Sequence, residues 1–237
     1  MSFLILVRHG QSIWNLEKRF TGWVDVDLTE KGKSEAENAG LLIQKKKIYI
    51  DFYYSSLQLR ANKTLEIIQG VLSDKKNFKR AWQLNERHYG ALTGLNKIET
   101  GKKIGQDNLH NLRRSWDSKP ETLSRDSSFH PLNIKAYKDL PRNIIPDTES
   151  LKDTYDRVLK YFNEEIKNKL KDKNVLISAH GNSIRALCKN LFKLDNNQIS
   201  NLEIPTGNPL VIEMNSEHKI TKCEYLDKDR AKNLVVF

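Results

Sequence analysis

Two stretches of the chain set a histidine ahead of glycine and serine at the same spacing, Leu6-Val7-Arg8-His9-Gly10-Gln11-Ser12 and Ser178-Ala179-His180-Gly181-Asn182-Ser183. Each follows an apolar run and leads toward a segment with helical spacing. A neutral imidazole attacks phosphorus near neutral pH, provided its other ring nitrogen holds the proton. Glycine lets backbone N–H groups come close to a ligand, and a helix N-terminus favours phosphate there. A phosphoryl group in transfer spreads negative charge over its oxygens, so its site needs fixed cations and donors. Arg8, Arg60 and a protonated His180 are the candidates, arginine because its planar fork grips two phosphate oxygens while staying charged. Glu86, in Leu84-Asn85-Glu86-Arg87-His88-Tyr89-Gly90, is the candidate general acid/base, since a carboxyl in a desolvated site can exchange a proton near neutral pH. One His-Gly after a strand is an ordinary turn. Two of them, one led by Arg8, point to phosphoryl transfer with His9 transiently phosphorylated.

Such a site needs elements that bring the two histidines together. Residues 3–7 are a short continuous apolar run, the pattern of a strand buried on both faces. Residues 29–47 read as a helix capped by Thr29, residues 51–55 as a strand and residues 57–72 as a helix. After Thr148, taken as a cap, Leu151, Tyr155, Val158, Leu159, Phe162 and Ile166 line one helical face. Residues 175–179 form a second buried strand, leading into a helix through Ile184, Leu187 and Leu191. Residues 210–214 and 220–225 form a closing strand pair around Asn215-Ser216. This alternation predicts an α/β protein, a three-layer α/β/α sandwich on a mostly parallel sheet. In such sheets ligands sit beyond the carboxyl ends of the strands at a switch point, where both histidines would face one pocket. No linker divides the chain, so residues 1–237 are expected to be one domain. The stretch from about 92 to 146 shows little periodicity and holds four of the six prolines (Pro120, Pro131, Pro141, Pro146). With its Arg113-Arg114 pair it reads as a lid-like insertion.

The composition, 38% hydrophobic and 30% charged over 237 residues, is that of a soluble globular protein. No apolar run approaches the ~20 residues that cross a bilayer, and the first residues lack a basic leader, so the expected location is the cytoplasm. Cys188 and Cys223 are expected to be reduced structural thiols. The net charge of +10 calls for an anionic partner without choosing among nucleic acid, a membrane surface and a small phosphorylated acid. Lysine runs such as Lys45-Lys46-Lys47 and the one over 167–173 read as solvated helix ends. A nucleic-acid binder would leave His9, Glu86 and His180 unexplained, and a metal-dependent hydrolase would need a helical His-x-x-x-His pair or an acidic ligand cluster that the sequence lacks.

With these residues in view, the chain resembles the cofactor-dependent phosphoglycerate mutases of the histidine phosphatase superfamily over nearly its whole length. The resemblance rests on the Arg8-His9-Gly10 segment through Asn15, Phe20-Thr21-Gly22-Trp23, the block from Leu84 to Leu92, Gly94-Leu95-Asn96-Lys97, Arg113-Arg114-Ser115, Thr148-Glu149-Ser150, Ala179-His180-Gly181-Asn182-Ser183 and Ile204-Pro205-Thr206-Gly207. It implies that His9 carries the phosphoryl group, Glu86 is the acid/base and His180 stabilises the group in transfer. Arg8, Asn15, Arg60, Gly181 and Asn182 would line the phosphate pocket. Thr21, Gly22, Arg87, His88, Tyr89, Lys97, Arg113 and Arg114 would hold the rest of the substrate, its carboxylate included. It further implies interconversion of 3-phosphoglycerate and 2-phosphoglycerate in glycolysis and gluconeogenesis, primed by 2,3-bisphosphoglycerate and without metal, by a homodimer or homotetramer. A histidine-type phosphatase, or an enzyme acting on bisphosphoglycerate, is the alternative on the same fold. The chain departs from the pattern at Leu59, where a basic residue is common, over residues 118–133, and in a short tail from Tyr225 to Phe237.

Overall fold

The computed structural model describes residues 1–231; the last six residues of the short tail lie outside the described residues. Strand β1 (Ser2–Arg8) is buried on both faces because its side chains serve two cores by turns. Leu4 and Leu6 join one apolar cluster, and Ile5 and Val7 the other. β2 (Phe52–Ser55) and β4 (Val175–Ala179) run parallel to β1, with β4 between them, while β3 (Lys79–Arg80) extends the parallel edge. β5 (Leu210–Met214) and β6 (Ile220–Tyr225) complete the other edge antiparallel, giving the order β3-β2-β4-β1-β5-β6.

Helices cover both faces. Helix α2 (Glu30–Lys46) and α3 (Leu59–Val71) pack Ala39, Ile43, Leu65 and Ile68 against Ile5, Val7 and Leu176. On the opposite face α6 (Leu151–Tyr161) and α7 (Gly181–Leu191) pack Val158, Ile184 and Leu187 against Leu4, Leu6 and Ile177. The chain leaves β1 toward one face and β4 toward the other, so the carboxyl ends of these adjacent strands open into a crevice. The short helix α1 (Ile13–Leu16) and the last helix, α8 (Asn196–Asn201), lie outside the two main layers' cores except for Ile199. Among the described residues no helix is long and apolar enough to cross a membrane.

The three-layer architecture is the expected one, with local differences. The cap of α6 is Ser150, in a capping box with Asp153, whereas Thr148 donates its hydroxyl to the Pro120 carbonyl. Two cap-capable residues two positions apart look alike in sequence. Between residues 92 and 146 the structure holds two helices, α4 (Lys97–Ile104) and α5 (Gln106–Arg114), followed by short 3-10 turns. Asn96 caps α4 by accepting from the Ile98 and Glu99 amides. Both helices are short and polar, burying little beyond Leu109 and Thr100, so no apolar stripe announces them. Strand β3 is two exposed basic residues held by backbone pairing and by ion pairs to Glu165 and Glu66, again without a pattern to read.

Candidate active site

The register of β1 and β4 sets Arg8 opposite Ala179, and the His9 amide donates to the Ala179 carbonyl at 3.0 Å. The next residue on each strand is therefore a histidine, and the two rings lie 5.0 Å apart. Gly10 is required by close passage of the chain: a Cβ there would stand 2.0 Å from the Gly32 carbonyl oxygen at the start of α2. Its amide donates to Thr64 Oγ1 on α3, locking the turn after His9.

His9 is buried, and its Nδ1 lies 2.7 Å from the Gly10 carbonyl oxygen. That oxygen only accepts, so Nδ1 carries the proton and Nε2 presents its lone pair. Burial first, then the Arg60 and Arg8 guanidinium groups, hold the His9 pKa well below the ordinary histidine value. The ring is a neutral nucleophile over the whole physiological range. Arg60 Nε–H points at Nε2 from 3.3 Å, and its terminal nitrogens are anchored on the Val24 and Gly22 carbonyls at 2.9 Å each. Gly22 turns its carbonyl toward Arg60 and Gln58 from a left-handed backbone conformation (φ 55°) that favours glycine. Gly22 thus sits behind Arg60, and Thr21 is buried next to it in the chain.

His180 is fully buried, with Nε2 2.7 Å from Ser56 Oγ. Directing the hydroxyl proton to Nε2 gives it a partner and leaves Nδ1–H as a buried donor to which no group among the described residues answers. The expected protonated His180 is not what the surroundings support. Burial and the nearby Arg60 and His9 keep its pKa well below the usual value, so it acts as a neutral hydrogen-bond donor.

Glu86 is set by a scaffold that the sequence reading missed. Arg157 on α6 donates to the backbone carbonyls of Gln83, Asn85 and Glu86 and pairs with Glu149 at 2.7 Å, both side chains nearly buried. Glu149 also accepts the His88 amide at 2.8 Å, so one buried ion pair holds the whole 83–88 loop. Glu86 Oε1 accepts from the Arg87 amide (2.7 Å) and from the amide and side chain of Asn182 (3.2 and 2.9 Å). Among the described residues Oε2 has no hydrogen-bond partner, and it faces the crevice, 3.7 Å from where a Cβ on Gly181 would stand. Gly181 keeps that space open.

The crevice wall is formed by Arg8, Glu86, Tyr89, Lys97, Arg113, Arg114, Gly181, Asn182, Arg185, Glu203 and Ile204. Asn15 lies on an adjoining cavity shared with Arg8 and Lys97; its Oδ1 closes the cap of α1, leaving Nδ2 as a donor. Burial, then Arg113 and Arg8, pull the Lys97 ammonium down to about 8. Arg87 is buried beneath the wall, stacked 4.6 Å from the centre of the Tyr89 ring. His88 does not reach the crevice: it is buried against His130, its Nδ1 accepting from the Gly90 amide at 3.0 Å. Arg185, one helical turn beyond Asn182 and bonded to it at 2.8 Å, was within reach of the His180-Gly181-Asn182 motif; Ser56, Gln58, Arg157 and Glu203 carried no local signal.

Buried donors without a protein partner mark what this site is built to hold. Arg8 Nε, Arg87 Nε and Nη1, His180 Nδ1 and Arg185 Nε all lack one, and a buried unpaired N–H costs about 1–3 kcal/mol. Arg8 and Arg185 line the crevice, where oxygens of an anionic ligand would satisfy their free N–H groups. Five cations face the crevice against two carboxylates, which suits a ligand with more than one negative group, handled at a neutral nucleophilic imidazole beside a carboxyl.

The chain matches the histidine phosphatase superfamily (branch 1) over residues 4–130 and 125–225. It is 66% identical to the 2,3-bisphosphoglycerate-dependent phosphoglycerate mutase of Pelagibacter ubique, covering 100% of both chains. It is 47% identical to the enzyme of the same description from Borreliella afzelii, over 97% of this chain and 94% of that one. Among solved structures, a mycobacterial glucosyl-3-phosphoglycerate phosphatase superposes with a TM-score of 0.69 at 21% identity, over 94% of this chain and 96% of that one, a likeness of fold. The chain therefore belongs to the histidine phosphatase superfamily, and within it to the family of 2,3-bisphosphoglycerate-dependent phosphoglycerate mutases.

Proposed function

We propose that the protein interconverts 3-phosphoglycerate and 2-phosphoglycerate, a reaction of glycolysis and gluconeogenesis, with His9 as the phosphoryl carrier. The observation that carries this reading is the neutral His9 ring, its tautomer set by Gly10 and its Nε2 held against the Arg60 guanidinium, directly after Arg8 on the wall of a cation-rich crevice. His9 Nε2 attacks phosphorus, the bond from phosphorus to the departing ester oxygen breaks, and Glu86 Oε2 delivers a proton to that oxygen. In the return step Glu86 takes the proton from the accepting hydroxyl as its oxygen attacks the phosphorus on Nε2. Arg8, Arg60 and Asn15 hold the equatorial oxygens, Asn182 holds Glu86 in place beside them, and His180 Nδ1–H donates to the charge that develops there. 2,3-Bisphosphoglycerate supplies the first phosphoryl group and is re-formed within each cycle. The partner is then a small phosphorylated three-carbon acid in the cytoplasm.

Arg113, Arg114 and Lys97 favour mutase over phosphatase chemistry. They grip the carboxylate and second anionic group of the three-carbon acid, keeping it in place to accept the phosphoryl group before water does. The expected result is conversion of 3-phosphoglycerate to 2-phosphoglycerate that requires catalytic 2,3-bisphosphoglycerate and persists in EDTA. Release of inorganic phosphate with no 2-phosphoglycerate formed would instead assign the site to a phosphatase.

The same three cations stand at the ends of α4 and α5, inside the 92–146 stretch of this one domain. We read that stretch as the cover of the site. Saturating 3-phosphoglycerate should protect it from limited proteolysis; equal cleavage with and without ligand would remove that role.

A further inference from the structure

One of the two carboxylates on the crevice wall has no place in the chemistry above. Glu203 lies just past α8 and ion-pairs through Oε1 with Arg114 Nη2. Its side chain is about half exposed, while that of Arg114 is only 18% exposed, so the pair sits at the mouth with the arginine inside. Glu86, the other carboxylate of the wall, is tied by three N–H donors and faces its open oxygen inward. Among the described residues Glu203 is tied to Arg114 alone.

The cations around it are crowded. Burial, with Arg114 and Arg87 next in size, pulls the Arg185 guanidinium down to about 10. Arg185 is itself fastened to the Arg114 and Ile199 carbonyls, which keeps α5, α7 and the end of α8 in a fixed relation. Arg114 is thus held where it is by the backbone, whatever occupies its guanidinium. A carboxylate on Arg114 relieves repulsion among these cations and takes the fork that a ligand's own carboxylate or phosphate would take.

We infer that Glu203 is an internal competitor for the substrate: it occupies Arg114 until an anionic ligand displaces it, and so lowers the affinity of the site for phosphorylated three-carbon acids. The inference rests on the mutase reading of the same crevice and adds a determinant of affinity to it. A ligand arriving with a carboxylate and a phosphate displaces Glu203 to the solvent it already half faces. On product departure the carboxylate returns to the vacated fork, which favours release.

The test is Glu203→Gln, which keeps shape and removes charge. Its KM for 3-phosphoglycerate should fall about fivefold, the upper end of what a partly exposed ion pair is worth. Calorimetric titration with inorganic phosphate should show tighter binding in the same direction. E203D, which keeps the charge but shortens its reach to Arg114, should fall between the two, and carries the test should the amide variant fail to fold. A structural role, in which Glu203 orients Arg114 to receive the ligand, makes the opposite prediction. Unchanged or weaker phosphate binding and an unchanged or higher KM in E203Q would overturn the inference. The phosphate titration does not depend on turnover: absence of mutase activity in the unaltered protein would defeat the functional reading while leaving the affinity ratio measurable.

Discussion

His9→Ala is expected to abolish both mutase turnover and the acid-labile phosphate that brief incubation with 2,3-bisphosphoglycerate should place on the unaltered protein. The loss should reach at least ~10⁴-fold, as for other covalent nucleophiles. His9 contributes an imidazole nitrogen whose lone pair is fixed by its tautomer and turned toward the Arg60 guanidinium. His180 cannot take its place, because its Nε2 is engaged by Ser56. The fold should survive. Arg60 keeps its Val24 and Gly22 anchors without His9, and the strand pairing through Ala179 uses only the His9 amide. Circular dichroism and a melting curve close to those of the parent separate loss of chemistry from loss of structure. Retained turnover together with phosphate on another residue would overturn the mechanism.

The second large effect is expected at Glu86→Gln, with a fall in kcat of about 10²- to 10⁴-fold, the usual worth of a positioned proton donor and acceptor. The substitution is nearly isosteric. Glutamine Oε1 can accept the same three N–H groups from Arg87 and Asn182, so the 83–88 loop, braced from behind by Arg157, stays in place. What is lost is the second oxygen, the one that faces Gly181 and Arg8 with no hydrogen bond of its own. The variant should still bind 3-phosphoglycerate with a KM within a few-fold of the parent, placing the defect in turnover. A kcat reduced by less than about tenfold would mean that the proton travels by another route.

Much of this site is legible along the chain because it is built from contiguous motifs at strand ends. β1 and β4 are mostly apolar, which happens where a strand is covered on both faces, and each strand ends on the residue before a histidine. The strand pair at Leu210–Met214 and Ile220–Tyr225 is equally plain. Where the pattern weakens, so does the reading. α4 and α5 are polar helices that bury few side chains, β3 is two lysine and arginine residues, and the choice of Ser150 over Thr148 as a cap depends on where Asp153 falls. None of these leaves a periodic trace.

What the sequence determined by itself is the chemical inventory: a histidine after an arginine at the end of a buried strand, a second histidine in a like setting, and a glutamate in a charged aromatic block. Only the tertiary structure decided how those groups are charged and aimed. Burial and two guanidinium groups make His9 neutral, the Gly10 carbonyl selects its tautomer, and the same surroundings deny His180 the proton expected of it. The Glu149–Arg157 pair that holds the Glu86 loop, and Glu203 on Arg114, join residues far apart in the chain. Electrostatic interaction depends on distance and on exclusion of water, and both are properties of the folded crevice that no spacing along the chain encodes.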